Sequence, residues 1–307
     1  MNSRRLFAVQ LVAALVVLGA PPSAQTQRVK LAVWGDSREN LDNAASNIAS
    51  ILLREVTDWD AVVHTGDFTH DGSEAAWQRT LHYPGMAQLF VAGKFLMSTS
   101  NHDDNKATWD KRTAGVLPTN SANGTTHFYA WKKDNVHIVM CDGYFTSAAM
   151  MQKWLDGYLA AVKADDWLIG VWHDPSYGDI SYKPSYLKKA GPWLKSLYAH
   201  GGDLILNGHA HVYVRTRPLL PDGTVDERNG MVHIINGAGG ASWKDPIPPN
   251  PKIAFTPAVS SFPCVTFLTF EGDRVSLETI DARPGQNRRV IDRWTSVRRP
   301  RSAAPAR

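Results

Sequence analysis

The chain has 307 residues, with 33 Lys and Arg against 29 Asp and Glu, which gives a formal net charge of +4. Its 43% hydrophobic residues and 11 Trp exclude a disordered or fibrous chain. The positive surplus lies at the two ends of the chain, in Arg4, Arg5, Arg298, Arg299, Arg301 and Arg307. Subtracting these six from 33 leaves 27 basic groups against 29 acidic ones, so we expect no nucleic-acid-binding face.

The first 24 residues have the three parts of an export signal: Arg4 and Arg5, the apolar run Leu6–Leu18, and small residues ending near Ala24. The run is shorter than the roughly 20 apolar residues that a membrane span needs, so we expect cleavage and no membrane anchor. An ordinary signal and a twin-arginine signal both remain open, because the chain begins MNSRRLF. We therefore predict a signal peptide over residues 1–24 and a periplasmic or secreted protein.

Short β-branched and aromatic runs predict strands, and longer stretches with helical spacing lie between the earlier ones. The predicted strands are Val29–Trp34, Ala61–His64, Phe95–Thr99, His127–Trp131, Val136–Cys141, Leu168–Trp172, Leu204–Asn207, Met231–Asn236, Val265–Phe270 and Val275–Ile280. The predicted helices are Asn40–Val56, Ala75–Gln88, Ala148–Lys163 and Tyr186–His200. This alternation predicts α/β layering, in a single domain over residues 25–296 followed by a disordered basic tail over 297–307.

The turn and cysteine patterns add two smaller predictions. The last two predicted strands form a hairpin across Glu271–Arg274 at the C-terminal edge of the sheet. Two cysteines, Cys141 and Cys264, are too few for a disulfide framework or a thiolate metal site. Each lies within an apolar run, so buried free thiols are expected, with a single bridge formed after export as the alternative.

Five of the predicted strands end in polar residues of the kind that bind metals. In chain order these residues are Asp36, Asp67, Asn101, His173, and His209 with His211. Taken alone, each Asp is more often a turn residue or helix cap and Asn101 a turn former, and His173 is more often a hydrogen-bonded, half-buried histidine. In an open α/β sheet, however, sites form outside the carboxyl ends of the strands, so five such ends can converge on one crevice. Carboxylate, amide and imidazole donors suit divalent Zn, Mn or Fe.

This pattern resembles the calcineurin-like metallophosphoesterases, and more closely their purple acid phosphatase branch. That branch has the motif order GDxG, GDxxY, GNH(D/E), a single His and then GHxH. Here the matching residues read GDSR, GDFTH, SNHD, His173 and GHAH. Gly208–Pro218 is also similar to the branch's GHxHxYxRTxP, and Gly230–Gly240 to the strand and glycine turn that follow it. The resemblance spans about Lys30 to Ile280 and implies a four-layer α/β/β/α sandwich with two mixed sheets.

The resemblance further implies a centre of two divalent metal ions, Zn, Mn or Fe. The first ion would be held by Asp36, Asp67 and His211. Asp67 would bridge to the second ion, whose other ligands would be Asn101, His173 and His209. The metals would lower the pKa of a bound water, so that hydroxide is available as the nucleophile near neutral pH.

Two further residues would act on the substrate rather than on the metals. His102 would stay off the metal ions and would either protonate the leaving oxygen of the substrate or stabilise the charge that develops on it. Asp103, next to it in the chain, is the candidate orienter of that histidine. Both assignments follow from the resemblance of the SNHD segment to the family's third motif.

Arg38 departs from the family pattern, because most members have His at this position and the purple branch has Gly. Arginine stays protonated and cannot ligate a metal. Two roles remain open for it: a fork onto substrate phosphate oxygens, or a salt bridge to a carboxylate such as Glu39 or Asp67.

Two other positions also differ. His70 stands at the slot of the branch's tyrosine ligand, where it either completes the shell of the first metal or is a surface histidine. Without the phenolate we expect Zn, Mn or Fe(II) rather than a coloured Fe(III) pair. Ser100 replaces the family's Gly before Asn101, and a residue with a side chain there leaves open whether the loop turns as tightly as in the family.

The favoured hypothesis is an exported phosphomonoesterase, similar to acid or alkaline phosphatases, that acts on a small phosphate-ester substrate. A phosphodiesterase acting on nucleotide or phospholipid-type diesters is the alternative, since the same centre serves both reactions. A catalytically silent ligand-binding relative is a second alternative, if Arg38 and Ser100 leave one metal site empty. No feature of the sequence indicates a dedicated protein partner.

Overall fold

The computed structural model describes residues 28–121, 123–177, 184–242, 262–286 and 288–299. The predicted signal peptide over residues 1–24 and residues 300–307 of the predicted tail lie outside the described residues. Within the described residues, no helix combines the length and the apolar character that a bilayer crossing requires.

The described strands form two six-stranded sheets. They are β1 (Arg28–Trp34), β2 (Ala61–His64), β3 (Phe95–Met97), β4 (Tyr129–Lys133), β5 (Val136–Met140), β6 (Trp167–Val171), β7 (Leu204–Asn207), β8 (Tyr213–Arg215), β9 (Val232–Asn236), β10 (Cys264–Glu271), β11 (Arg274–Asp281) and β12 (Val290–Val297). The helices between them are α1 (Ala44–Ser50), α2 (Glu74–His82), α3 (Met86–Leu89), α4 (Lys106–Thr113), α5 (Ala148–Leu159) and α6 (Pro184–Ala199). A single π-helical turn, Ile51–Glu55, continues α1.

Side-chain caps begin three of these helices. Ser73, Asn105 and Ser147 each accept a hydrogen bond from a backbone N–H in the first turn of α2, α4 and α5. Such caps satisfy N–H groups that have no partner inside the helix. The start of each helix is therefore set by a polar residue in the chain.

The first sheet has the order β12-β11-β10-β1-β2-β3. Strands β1, β2 and β3 run parallel, and the other pairs are antiparallel. The predicted hairpin between β10 and β11 is confirmed: Glu271 pairs with Arg274, and Gly272 supplies a φ of +62° in the turn. The prediction that this hairpin forms the edge of the sheet is wrong, because β12 pairs with the outer side of β11 and is the edge strand.

The second sheet has the order β4-β5-β6-β7-β9-β8. Strands β5, β6, β7 and β9 run parallel, with β4 and β8 antiparallel at the two edges. All residues of the four parallel strands are buried, which explains their continuous apolar sequences. Both sheets are mixed, as predicted.

The two sheets pack face to face around the main hydrophobic core, which contains Leu31 and Val33 of β1 together with Ile138 of β5 and Leu206 of β7. Helices α5 and α6 cover the outer face of the second sheet, forming a second core cluster. Helix α1 and its neighbours pack with the first sheet. The predicted α/β/β/α sandwich in a single domain is thereby confirmed.

The end of the domain differs from the prediction. Val297, the predicted start of the tail, is the last residue of β12. The backbone N–H of Arg298 donates to Asp273 O at 2.7 Å, and Arg299 Nη2 donates to Tyr198 O at 3.1 Å. The ordered part of the domain therefore includes these two arginines. The two cysteines are buried free thiols, as predicted.

Candidate metal centre

The six predicted ligands follow the carboxyl ends of five parallel strands. Asp36, Asp67 and Asn101 follow β1, β2 and β3 of the first sheet, whereas His173 and the pair His209 and His211 follow β6 and β7 of the second. Backbone hydrogen bonds tie neighbouring loops together, from Asp36 N to Gly66 O at 2.9 Å and from Gly208 N to His173 O at 3.0 Å. Because the sheets face each other, all five strand ends meet in one place.

Four of these ligands have left-handed backbone conformations. The φ angles are 59° at Asp36, 54° at Asp67, 66° at His209 and 43° at His211. A non-glycine residue in this region costs on the order of 1 kcal/mol, and such strain is concentrated at functional sites. Here it turns the side chains that follow the strands back toward the crevice.

The first donor group consists of Asp36, Asp67 and His211, whose ligand atoms lie within 4.8 Å of one another. All three residues are buried. His211 Nδ1 lies 2.5 Å from the carbonyl oxygen of Ser242, to which it donates, so Nε2 is the nitrogen left to face the carboxylates. The hydrogen bond at Nδ1 fixes the ring in the orientation that a metal-binding histidine needs. The group matches the ligand set implied for the first metal.

The second donor group consists of His173, Asp174 and His209, again with ligand atoms within 4.8 Å of one another. Asn101 Oδ1 lies 3.0 Å from His173 Nε2 and 3.1 Å from His209 Nδ1. Asp67 Oδ1 lies 3.2 Å from the same His173 nitrogen. Asp67 thus faces both groups, in the place where the sequence predicts a bridging carboxylate.

Asp174 is a member of the second group that the sequence did not single out. Its Oδ1 lies 3.8 Å from His209 Nδ1 and accepts a hydrogen bond from Tyr144 OH at 2.8 Å. Lys189 Nζ donates to its Oδ2 at 3.1 Å. Asp174 could have been found from its place directly after His173 at a strand end. Tyr144 and Lys189 reach it from separate segments and carry no comparable signal.

The electrostatics of the centre favour bound cations. Burial raises the pKa of Asp36 well above its usual value, and the neighbouring Asp67 carboxylate adds to the shift. Burial opposes ionisation of Asp67 too, but the charge of His173 holds its pKa well below the usual range. Asp67 in turn raises the pKa of His173 to about 10 against the effect of burial. Two buried carboxylates therefore demand positive charge, which divalent ions supply.

The donor set also fits the expected metals. Burial lowers the pKa of His209 to about 4, so its imidazole is neutral and able to ligate at neutral pH. The nitrogen of His173 that faces away from the group donates to Thr65 O at 2.9 Å. Carboxylate, amide and imidazole ligands arranged in this way suit Zn, Mn or Fe(II).

Arg38 lies against the first donor group. Its Nε is 3.3 Å from Asp67 Oδ2, and its Nη2 is 3.5 Å from His211 Nε2. On the other side, Nη1 donates to Glu39 Oε1 at 2.5 Å. The side chain is 9% exposed. Of the two roles that the sequence left open, the structure shows the salt bridge, with both of the carboxylates that were named for it.

His70 sits at the rim of the first group. Its Nδ1 lies 3.7 Å from Glu39 Oε1 and 3.5 Å from Arg38 Nη1, and its side chain is 50% exposed. The clustered donors of the first group do not include it, among the residues that the structure describes. The carbonyl of His70 has a separate contact, since it accepts a hydrogen bond from His102 Nδ1 at 2.6 Å.

His102 lies beside the two donor groups, and neither group includes it. Its Nε2 is 4.0 Å from Asp67 Oδ2, and its side chain is 30% exposed. Asp103, predicted to orient this ring, is instead buried in the loop. It accepts hydrogen bonds from the backbone N–H groups of Phe68 and Thr69 and from the Ser100 hydroxyl. Asp103 therefore fixes the loop that carries Asp67, and the group that holds the His102 ring is the carbonyl of His70.

Ser100, where the family has Gly, is integrated into the same loop. It has no left-handed backbone conformation, so the turn before Asn101 does not require glycine. Its Oγ accepts a hydrogen bond from Asp67 N at 2.9 Å and donates to Asp103 Oδ2 at 2.8 Å. The serine hydroxyl thus links the loop that carries Asn101 to the loop that carries Asp67 by a hydrogen bond.

The comparisons with known proteins agree with this geometry. Residues 29–213 match the family model for calcineurin-like phosphoesterases, which covers more than half of the chain. The chain belongs to this family. The described residues contain two groups of side chains that could hold metal ions, both at the strand ends where the resemblance to this family predicts ligands.

Two plant proteins are similar in sequence. Purple acid phosphatase 15 of Arabidopsis thaliana is 33% identical over 129 residues, which are 39% of this chain and 23% of the relative. Purple acid phosphatase 18 of the same plant is 29% identical over 139 residues, which are 42% of this chain and 31% of the relative. The matched part thus covers less than a third of each curated relative. The predicted resemblance to the purple acid phosphatase branch is confirmed.

Solved structures share the fold at low identity. Purple acid phosphatase PPD1 from yellow lupin (Lupinus luteus) seeds has a TM-score of 0.69 at 18% identity, covering 90% of this chain and 55% of that one. PhoD has a TM-score of 0.63 at 11% identity, covering 91% and 72%. GAP50, the anchor in the inner membrane complex of Plasmodium, has a TM-score of 0.59 at 15% identity, covering 90% of both chains. A purple acid phosphatase and an anchor share this fold, so activity must be argued from the site.

Proposed function

We propose that this phosphoesterase is an exported phosphomonoesterase with a binuclear metal centre. The observation that carries the proposal is the position of Asp67, which faces both donor groups and lies 4.0 Å from the free ring nitrogen of His102. A shared carboxylate with a titratable group beside it is the arrangement that in-line phosphoryl transfer requires. The similarity to purple acid phosphatases supports the choice of a monoester.

When bound, the two ions would supply Lewis acidity that activates water and neutralises charge on the phosphoryl oxygens. The protein's own residues provide the placement. Asp36, Asp67 and His211 would hold one ion, and Asp67, Asn101, His173 and His209 the other. The ligands project from strand ends that are tied together by hydrogen bonds, so the centre is preorganised.

His102 would act as the general acid that protonates the leaving group. Its Nδ1–H donates to the carbonyl of His70 at 2.6 Å, which fixes the ring and directs Nε2 toward the centre. A proton at Nε2 can then pass to the leaving oxygen as the ester bond breaks. The partly exposed position of this side chain allows the proton to be replaced from solvent.

Charge supports a monoester over a diester. A monoester dianion carries one more negative charge than a diester. Arg38 and Lys189 both place cations within salt-bridge distance of carboxylates at the centre. The additional positive charge favours the more highly charged substrate.

The test is hydrolysis of p-nitrophenyl phosphate and bis(p-nitrophenyl) phosphate by purified protein, with and without chelator, together with metal analysis. We expect two equivalents of metal and chelator-sensitive turnover that is faster on the monoester. Faster turnover of the diester would assign a phosphodiesterase, and inactivity with Zn, Mn and Fe(II) supplied would assign a ligand-binding relative. Export is tested by fractionating cells that carry the full chain or a double Arg4→Lys and Arg5→Lys variant.

A further inference from the structure

We propose that Arg38 makes the two metal positions unequal: it acts as a fixed cation beside the first donor group, Asp36, Asp67 and His211, and weakens divalent-ion binding there. The second donor group, His173, Asp174 and His209, would then fill first. This inference rests on the binuclear centre of the proposed function and concerns binding alone.

The contacts of Arg38 are with donor atoms of the first group. Its Nε is 3.3 Å from Asp67 Oδ2, and its Nη2 is 3.5 Å from His211 Nε2. Two of the three residues of this group thus have a guanidinium nitrogen next to the atom that a metal would use. A guanidinium is permanently charged, so this cation cannot be removed by deprotonation.

The guanidinium is held in place and is not a free side chain. Nη1 donates to Glu39 Oε1 at 2.5 Å, and the Arg38 carbonyl accepts a hydrogen bond from Tyr83 OH at 3.2 Å. The side chain is only 9% exposed. Glu39 compensates part of the positive charge of Arg38, but its contact is with Nη1. Nε and Nη2 face Asp67 and His211 instead, in a buried position where solvent screens their charge weakly.

The second group has a cationic contact as well among the residues that the structure describes, but it differs from that of Arg38. Apart from the ring of His173, which belongs to the group itself, the nearest cation is Lys189, whose Nζ contacts Asp174 Oδ2 at 3.1 Å and lies 4.1 Å from the centre of the Tyr144 ring. The Asp174 oxygen that faces His209 is the other one, Oδ1. Lys189 is 34% exposed, so solvent screens its charge more effectively than that of Arg38. The two donor groups consequently differ in the charge that an incoming ion meets.

The experiment is stepwise titration of metal-free protein with Zn²⁺ or Mn²⁺, followed by calorimetry and by metal analysis after equilibrium dialysis. In the unsubstituted protein we expect two steps whose dissociation constants differ on the order of 10²-fold, since like charges about 4 Å apart repel strongly in a partly buried site. Arg38→Gln should tighten the weaker step at least tenfold and the tighter one by less, because Arg38 also contacts Asp67, which both ions would share. Glu39→Gln should widen the gap, because it leaves Arg38 uncompensated.

Controls assign the steps and separate the possible failures. Arg283→Gln, which breaks a salt bridge to Asp281 outside the donor groups, should leave both steps unchanged. His209→Ala should abolish the tight step and His211→Ala the weak one.

If Arg38→Gln fails to fold, Glu39→Gln tests the same point, since an unchanged gap in that variant would also overturn the inference. Equal steps in the unsubstituted protein, or an unchanged gap in Arg38→Gln, would overturn the inference. Loss of hydrolysis with two unequal steps intact would overturn only the proposed function.

Discussion

Arg215 and Asp292 form a buried two-bond ion pair that joins the edge strands β8 and β12 of the two sheets. Arg215 Nε donates to Asp292 Oδ2 at 2.7 Å, and Nη2 donates to Oδ1 at 2.9 Å. Tyr213 OH donates to the same Oδ2 at 2.5 Å. Both Tyr213 and Arg215 belong to the segment that resembles GHxHxYxRTxP. The histidines of that segment thus belong to the two donor groups, while its Tyr and Arg hold the sheets together.

Replacing Asp292 tests this structural role. Asp292→Asn leaves the buried Arg215 without a charged partner, and breaking such a pair lowers the free energy of unfolding by about 3–5 kcal/mol. Urea denaturation measures the change. The control Glu278→Gln removes an exposed pair with Arg293, at 3.0 Å, and should cost less than about 1 kcal/mol. Unchanged stability in Asp292→Asn would contradict the role.

Asp67→Asn should remove the binding of both metals and the activity with it. The carboxylate faces both donor groups, and an amide in its place lacks the charge that bridges two cations. Metal at about 100 times its dissociation constant stabilises the folded state by about 2.7 kcal/mol. We therefore expect the metal-dependent rise in melting temperature, about 5 °C for a domain of this size, to disappear. Thermal unfolding with and without Zn²⁺ measures it, and a variant that still gains stability from metal would refute the bridging position.

His102→Ala should lower kcat by about 10²–10⁴-fold, the range for loss of a general acid. Its ring lies outside both donor groups, so metal content should stay at the level of the unsubstituted protein. Steady-state kinetics and metal analysis on the same sample check the two halves of the prediction. Loss of metal together with activity would show that His102 is a ligand.

Ser100→Ala should destabilise the loops that carry Asp67 and Asn101. The hydroxyl accepts from Asp67 N and donates to Asp103 Oδ2, and leaving such buried groups unpaired costs about 1–3 kcal/mol. Ser176→Ala is the matched control, since Ser176 Oγ is buried with no hydrogen-bond partner within the described segments. Chemical denaturation should show a loss for the first variant and little change for the second. Similar free energies of unfolding for both variants would contradict a stabilising role for the Ser100 hydrogen bonds.

Stability of the metal-free protein should fall as the solution is made acidic, in part because of His233. Burial lowers the pKa of this histidine to about 3, whereas the unfolded value is about 6.5. Between these two values the unfolded chain binds a proton that the folded one cannot, so each pH unit below about 6.5 costs about 1.4 kcal/mol. Denaturation at pH 7, 6 and 5 should show a smaller slope for His233→Leu. The exposed His82→Gln should keep the slope of the unsubstituted protein, and parallel slopes in all three would exclude His233 as the cause.

The strands were the most predictable part of the fold. Ala61–His64 and Leu204–Asn207 have the predicted bounds, because fully buried strands consist of short continuous apolar runs. Helix Lys106–Thr113 was not predicted, since only Trp109 and Thr113 of it are buried and its apolar periodicity is weak. Strand Val290–Val297 was missed because it is an edge strand with charged residues. Its buried carboxylate, Asp292, is stabilised by an arginine 77 positions earlier in the chain.

The clustering of the candidate metal ligands could be predicted because each follows a strand, and strand order brings the ends together. The contacts around them could not. Asp103 carries no sign in the sequence that it faces the Asp67 loop rather than His102. The place of Arg38 between Glu39 and Asp67 depends on how two loops from different strands approach each other. Local pattern thus identifies the donors, and tertiary packing decides what surrounds them.

The ligands are spread from Asp36 on the first sheet to His211 on the second, and this has a consequence for biosynthesis. A chain synthesised only as far as β6 contains Asp36 and Asp67 but neither His209 nor His211, so both donor groups are incomplete. Ions can be captured only after the two sheets have come together. A chain exported unfolded must therefore take its metal from outside the cytoplasm, whereas one exported folded carries cytoplasmic metal with it. The route of the proposed export would thus decide which compartment supplies metal to the proposed centre.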